Sequence, residues 1–206
     1  MKSFFFQLVF CLLFLSSFAQ DVVLIEPHKL GGVPLMETLA KRETNRNFTQ
    51  DTLSNQQLSN LLWAAVGINR PNGKRTAPTA RNAQEIDLYV FMENGVYLYE
   101  PKSHTLKLLF LGDKRSVVLK QEGFIDCPVL LLFVANYDKM EKFAESDREF
   151  YGAVDAGYIS QNVYLFCASE GLATCAIGMI HRPQIIELLQ INGKPILAQI
   201  VGVKEL

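Results

Sequence analysis

The sequence predicts an α+β (mixed α/β) fold, a single layer of sheet with helices packed on it. Three observations predict it. Residues 86–92 read as an alternating strand and run into Asn94-Gly95, a strong hairpin signal. Residues 129–134, Val-Leu-Leu-Leu-Phe-Val after Pro128, are apolar throughout, as a strand covered on both faces must be. Segments of helical periodicity precede and separate these strands.

Taken in order, residues 34–41 have helical spacing in Leu35, Met36, Leu39 and Ala40, with Pro34 suited to a first turn. Ser54 followed three residues later by Gln57 is a capping box. It opens a helix whose apolar face is Leu58, Leu61, Leu62, Ala65 and Val66, with Gly67 at its C-terminal end. Residues 69–77 form a polar loop rich in Pro, Gly and basic side chains. The strand 86–92 turns at Asn94-Gly95 and returns through 96–99. Residues 113–121 are expected to be a short helix, 129–134 a buried strand and 146–170 a long helix ending at Gly171. A strand at 173–180, a helix at 182–189 and a strand at 196–203 complete the chain. Along the long helix Gly152, Ala153, Ala156, Gly157 and Ser160 recur at helical spacing. Such a face fits either the chain's own sheet or a second helix across a dimer contact, and periodicity leaves both open.

The chain has 206 residues, 49% hydrophobic and 20% charged, with a formal net charge of -1. That balance offers no basic face for nucleic acid. Met1-Lys2-Ser3, the apolar residues 4–15 and small Ser17 and Ala19 read as a secretory signal, residues 1–19, cleaved after Ala19. The apolar stretch is shorter than the ~20 residues a spanning helix needs, and no membrane span is expected after signal removal. Residues 20–206, without linker or repeat, are expected to form one domain of an exported, periplasmic bacterial protein; without the signal it would be cytoplasmic. Cys127, Cys167 and Cys175 remain after cleavage and read as core thiols, with one bridge possible. His28, His104 and His181 are scattered, without metal-ligand spacing. There is no Gly-x-Ser-x-Gly elbow, Walker loop or Gly-x-Gly-x-x-Gly, which moves the weight toward chemistry carried by a cofactor.

Arg42, Thr44 and Arg46, at alternating positions, could converge on one phosphate, because guanidiniums match phosphate oxygens two at a time. The segment Arg42-Glu43-Thr44-Asn45-Arg46-Asn47-Phe48, the helix 53–64, the loop Pro78-Thr79-Ala80-Arg81-Asn82, the stretch 155–162 and Gly171-Leu172-Ala173-Thr174-Cys175-Ala176-Ile177-Gly178 follow one another in order. In that succession the chain resembles the flavin-dependent nitroreductase family. Residues 63–70, running on to 75–78, are most similar to the branch that includes SagB-type dehydrogenases.

The resemblance implies a nitroreductase-like fold with a central, mainly antiparallel sheet, and a homodimer binding FMN at its interface. Arg42, Thr44 and Arg46 would hold the phosphate, with Glu43 contributing backbone. Pro78, Thr79, Ala80 and Asn82 would approach the ring system from the partner subunit. Ile177 and Gly178 would lie on the opposite side, where Gly permits close approach. It implies ping-pong hydride transfer through the flavin, from NADH or NADPH or from an extracytoplasmic redox partner, to nitroaromatic, quinone or similar acceptors. No catalytic side chain and no metal are implied. Two other readings are a SagB-like dehydrogenase of a small or peptide-derived substrate, and a non-enzymatic flavin-binding protein. Many members carry a basic residue beyond the final strand; here only Lys204 could take that place. A contact to the flavin's pyrimidine edge is not assigned between Arg115 and Gln121. Asn47-Phe48-Thr49 matches a glycosylation acceptor by chance.

Overall fold

The structure, a computed structural model, describes residues 20–124 and 126–205. The expected signal, residues 1–19, lies outside them. The elements in chain order are β1 (Val22–Val23), α1 (Leu35–Lys41), α2 (Asn55–Val66), β2 (Ile86–Met92), β3 (Gly95–Glu100), β4 (Thr105–Leu111), α3 (Arg115–Val118), β5 (Val129–Asn136), α4 (Glu145–Glu170), β6 (Leu172–Ile177), α5 (Arg182–Leu189) and β7 (Gly193–Val203). The seven strands form one sheet in the order β1-β4-β3-β2-β5-β7-β6, with every pairing antiparallel. Mixed α/β content with a central antiparallel sheet flanked by helices is what the sequence predicts.

Side chains alternate across a strand, so β5 serves two cores at once. Leu131, Phe133 and Ala135 pack with Leu61 and Leu62 of α2 and Ile159 and Val163 of α4. Leu130, Leu132 and Val134 pack on the other face with Val118 of α3 and Ile185 of α5. Each of the larger apolar side chains, Ala135 aside, contributes roughly 1.5–3 kcal/mol on burial.

The expected capping box is present, with Gln57 N donating to Ser54 Oγ at 3.2 Å and Ser54 N to Gln57 Oε1 at 2.9 Å. α4 runs 26 residues and stops where Gly171 adopts a left-handed φ of 69°. Gly67 also ends its helix, for another reason. Its backbone is extended, and a Cβ there would lie 2.3 Å from Trp63 Cδ1.

Several local readings shift, among them the helix expected over 113–121, which is only Arg115–Val118. The hairpin turn is Glu93 and Asn94, because Gly95 already pairs with Met92. Neither turn residue has positive φ, so the Asn-Gly signal works without a left-handed turn. β4 was not anticipated, and only Leu106 of its side chains is fully buried. β6 ends at Ile177, three residues early, because the chain leaves the sheet to form the Leu119–Ile180 bridge. β7 starts three residues early and crosses Pro195 at a bulge between the pairs Phe133–Leu197 and Val134–Pro195. Arg182 fills that bulge, donating Nε to Pro195 O at 3.0 Å and Nη2 to Ile196 O at 2.8 Å.

The small-residue stripe on α4 divides. Gly152, Ala156 and Ser160 are buried against the sheet, and a Cβ on Gly152 would meet Ala135 Cβ at 2.8 Å. Ala153 and Gly157 are exposed. The apolar positions of α1 stay open too: Leu35 is 63% exposed and Met36 77%.

Candidate functional site

Residues 42–49 leave α1 and run along the edge formed by β6 and β7. Asn45 N donates to Thr174 O and Thr49 N to Val203 O, each at 2.9 Å, and Phe48 bridges to Lys204. Phe48 pins the segment because Gly202 leaves room for it; a Cβ on Gly202 would meet Phe48 Cβ at 2.8 Å. Arg42, Thr44 and Arg46 occupy alternate positions along this segment.

Tyr164 of α4 is the hub of this corner. Its hydroxyl accepts from Ala176 N at 2.9 Å and lies 3.0 Å from Thr44 Oγ1. Its ring lies under the Arg42 guanidinium, 5.5 Å from centroid to Cζ. Burial pushes the Cys175 thiol up, and the nearby Arg46 guanidinium pulls it back. Lys204 Nζ bonds Glu43 Oε1 at 2.8 Å and, with Asn45, holds Glu43 below the usual carboxylate range. Among the described residues neither Arg42 nor Arg46 has a carboxylate partner. Two unneutralised guanidiniums beside a hydroxyl form a donor set suited to a phosphate dianion.

Ile177 and Gly178 follow Ala176 directly and therefore belong to the same corner. Ile177 is buried and Gly178 exposed. Gly178 has no positive φ, and a Cβ there would meet nothing within 4 Å. Nothing inside the chain requires glycine at this position.

Pro78, Thr79, Ala80 and Asn82 lie elsewhere. Ala80 N donates to Asp155 Oδ2 of α4 at 2.8 Å. Asp155 precedes Tyr164 by nine residues, about 13 Å along the helix and half a turn round it. Within one chain, then, this loop and the arginine corner sit against opposite sides of α4. Thr79 Oγ1 accepts from Gln84 N at 3.0 Å, and Arg81, Asn82 and Gln84 have φ of 53°, 55° and 52°. Beneath the loop Glu85 is fully buried beside Asp155. Burial first, then the Asp155 carboxyl, pushes Glu85 up to about 8.

Arg115 is spent internally. It is 7% exposed, donates Nε and Nη2 to Asp113 at 2.9 and 2.6 Å, and donates Nη1 to Cys127 O. Cys127, Cys167 and Cys175 are free and buried, as core thiols should be.

The family model for nitroreductases, described as the nitroreductase family, matches residues 39–203. This chain belongs to the nitroreductase family. A protein of Methanocaldococcus jannaschii with a provisional nitroreductase name is 30% identical over 195 residues, which is 89% of this chain and 98% of that protein. The crystal structure of a provisionally named nitroreductase from Ralstonia eutropha superposes with a TM-score of 0.85 at 40% identity, covering 90% of each chain. The E. coli microcin synthetase McbBCD complex matches at TM-score 0.68 over 98% of this chain and 85% of that chain; at 18% identity it shares the fold alone.

Beyond these nitroreductase-family motifs, the site holds two side chains that sequence reading did not single out, Tyr164 and Glu85, which no local pattern marks. Asp155 opens the motif stretch 155–162, but its partners are not written there. Lys204 stands at the site but is paired to Glu43. No described helix is long and apolar enough to cross a membrane.

Proposed function

We propose that this chain is an FMN-dependent oxidoreductase that works as a homodimer. The carrying observation is the pair of unneutralised guanidiniums, Arg42 and Arg46, set beside Thr44 and leading to the open backbone at Gly178. In this reading Arg42, Thr44 and Arg46 hold the FMN phosphate. Tyr164 orients Thr44, Glu43 contributes backbone and keeps Lys204 nearby, and Ile177 and Gly178 border the ring. Gly178 is glycine because the ligand, not the protein, occupies the space a side chain would take.

Pro78, Thr79, Ala80 and Asn82 complete the ring's surroundings from a second copy of the chain. Their separation from the arginine corner within one protomer supports that reading, as does apolar surface left open on α1 (Leu35, Met36, Leu39) and α4 (Phe150). Bound FMN would supply hydride transfer in ping-pong order, from NADH, NADPH or an extracytoplasmic redox partner to nitroaromatic, quinone or similar acceptors. The chain's own residues bind, orient and shield; none acts as a dedicated acid or base. Export through residues 1–19 to the periplasm, a single domain over residues 20–206 and a bacterial source belong to the same proposal. So does a SagB-like dehydrogenase activity, supported by the succession of residues 63–78.

The test is the visible spectrum of the purified protein, then of Arg42→Ala/Arg46→Ala. A flavin spectrum in the first and none in the second is expected. Full FMN occupancy in the double variant would overturn the phosphate assignment. Anaerobic bleaching by NADH or NADPH identifies the donor, and persistence of the flavin band redirects the search to another reductant.

A further inference from the structure

The six residues 80–85 run from within the ring-side loop to the start of β2, and both ends of that short span meet one carboxylate. At its start, Ala80 N donates to Asp155 Oδ2 at 2.8 Å. At its end, the Glu85 carboxyl lies within hydrogen-bonding reach of Asp155. Asp155 is 2% exposed and Glu85 0%. Among the described residues neither Glu85 oxygen finds a donor. Two carboxylates in contact, away from water, cannot both stay ionised, because Glu85 has no donor among the described residues and Asp155 has a single backbone amide to offset their charge. A single proton resolves the conflict. Carried by Glu85, it makes a hydrogen bond to Asp155, which then accepts from both ends of the span.

We infer that one proton held between Glu85 and Asp155 staples residues 80–85 to α4, making Glu85 the positioning residue of the loop that carries Pro78, Thr79, Ala80 and Asn82. The loop needs such a hold. Arg81 and Gln84 sit in left-handed conformations that L residues adopt when their surroundings impose them. Other restraints include Gln84 N to Thr79 Oγ1, Gln84 Nε2 to Gly73 O at 2.9 Å, Arg81 Nη1 to Lys142 O at 3.0 Å, and Arg81 over the Phe143 ring. The Glu85 backbone is anchored separately, its carbonyl accepting from Asn136 N at 3.0 Å.

Arg75, from the loop after α2, is the other charged group acting on Glu85. It opposes the proton, but weakly. It shares its charge with Asp87 and Glu100, and its Nη1 bonds Ile86 O at 3.2 Å. Burial, together with the contact to Asp155, is what raises the Glu85 titration. Once the proton leaves, two like charges face each other and the Glu85 end of the staple is lost. That the loop borders a flavin ring rests on the function proposed above; the stapling does not.

The test needs no flavin. Amide hydrogen exchange at Ala80 is followed by NMR from about pH 6 to about pH 9 in the purified protein and in Glu85→Gln. The wild-type protection factor should fall about tenfold or more across that range, beyond the ordinary base-catalysed rise. Glu85→Gln donates an amide hydrogen at every pH and should hold protection constant. Identical pH dependence in the two proteins, or constant protection in the wild type, would overturn the inference. Should Glu85→Gln fail to fold, infrared titration of the wild type reads the proton directly. A protonated-carboxyl stretch that disappears over the same range supports the staple, and its absence at about pH 6 sinks it. Failure to bind FMN would remove the proposed function and leave this result standing.

Discussion

Helix α4 carries two buried polar clusters five residues apart, and they solve the same problem in opposite ways. At Ser160, Oγ donates to Gln199 Oε1 at 2.8 Å, Gln199 Nε2 donates to Thr174 Oγ1 at 3.0 Å, and Thr174 Oγ1 donates to Ile200 O at 2.8 Å. Every group in this ladder is neutral and paired, and it ties α4, β7 and β6 together. At Asp155 the neighbour is Glu85, two acids with one backbone amide between them. A matched ladder of amides and hydroxyls holds its geometry at any pH. A pair short of a donor holds only while it keeps a proton. The first belongs to the core and the second lies under a loop, which suits a fixed joint and a titratable one.

Breaking the ladder should give the largest effect. Gln199→Ala strands Ser160 and Thr174 in the core and leaves a cavity, at a cost of about 4 kcal/mol that does not vary with pH. Urea unfolding at two pH values checks both statements, and a cost under about 1 kcal/mol would show that water replaces the amide.

The carboxyl pair should show the contrary signature. Glu85 keeps its proton when folded up to about 8, whereas its ordinary value is 4.5. Between these values the folded chain binds more protons than the unfolded one. The contribution is therefore complete below about 4.5, declines as pH rises, and is gone above about 8. At about 1.4 kcal/mol per unit, wild-type stability should fall by roughly 2–4 kcal/mol relative to Glu85→Gln across the window. Burial pulls His104 below its ordinary 6.5 and gives both proteins the reverse trend in acid, which cancels in the difference. Parallel pH–stability curves for the two proteins would refute the shared proton.

Ser160→Ala removes one end of the ladder and leaves Gln199 Oε1 without a donor, for about 1.5 kcal/mol. Tyr164→Phe is the mildest change, about 1 kcal/mol or less, since water reaches this half-buried corner and can serve Ala176 N. Its sharper readout is FMN affinity, which should weaken several-fold as Thr44 loses its orienting partner. Unchanged FMN affinity in Tyr164→Phe would detach the hydroxyl from the site.

Much of the fold was legible because it is written in local periods. The two-faced apolar run of β5, the capping box at Ser54 and the left-handed stop at Gly171 are each decided within a few residues. β4 escaped because its side chains are mostly half-covered, and the true start of β7 escaped because Pro195 reads as a break until Arg182 is seen filling the bulge. The arginine segment was legible as a donor pattern. The open α1 face was not, since Leu35 and Met36 have core spacing whether they face the core or a second chain.

The sequence by itself determined the classes of element, their order and the ordered motifs of the nitroreductase family, because helix and strand periods act over neighbouring residues. Only the tertiary structure decided which side chains meet. Thr44 reaches Tyr164 across 120 positions, Ala80 reaches Asp155 across 75 and Glu43 reaches Lys204 across 161. Those meetings depend on strand order and on the path of α4 over the sheet. Packing the whole chain fixes both, and no local period records them.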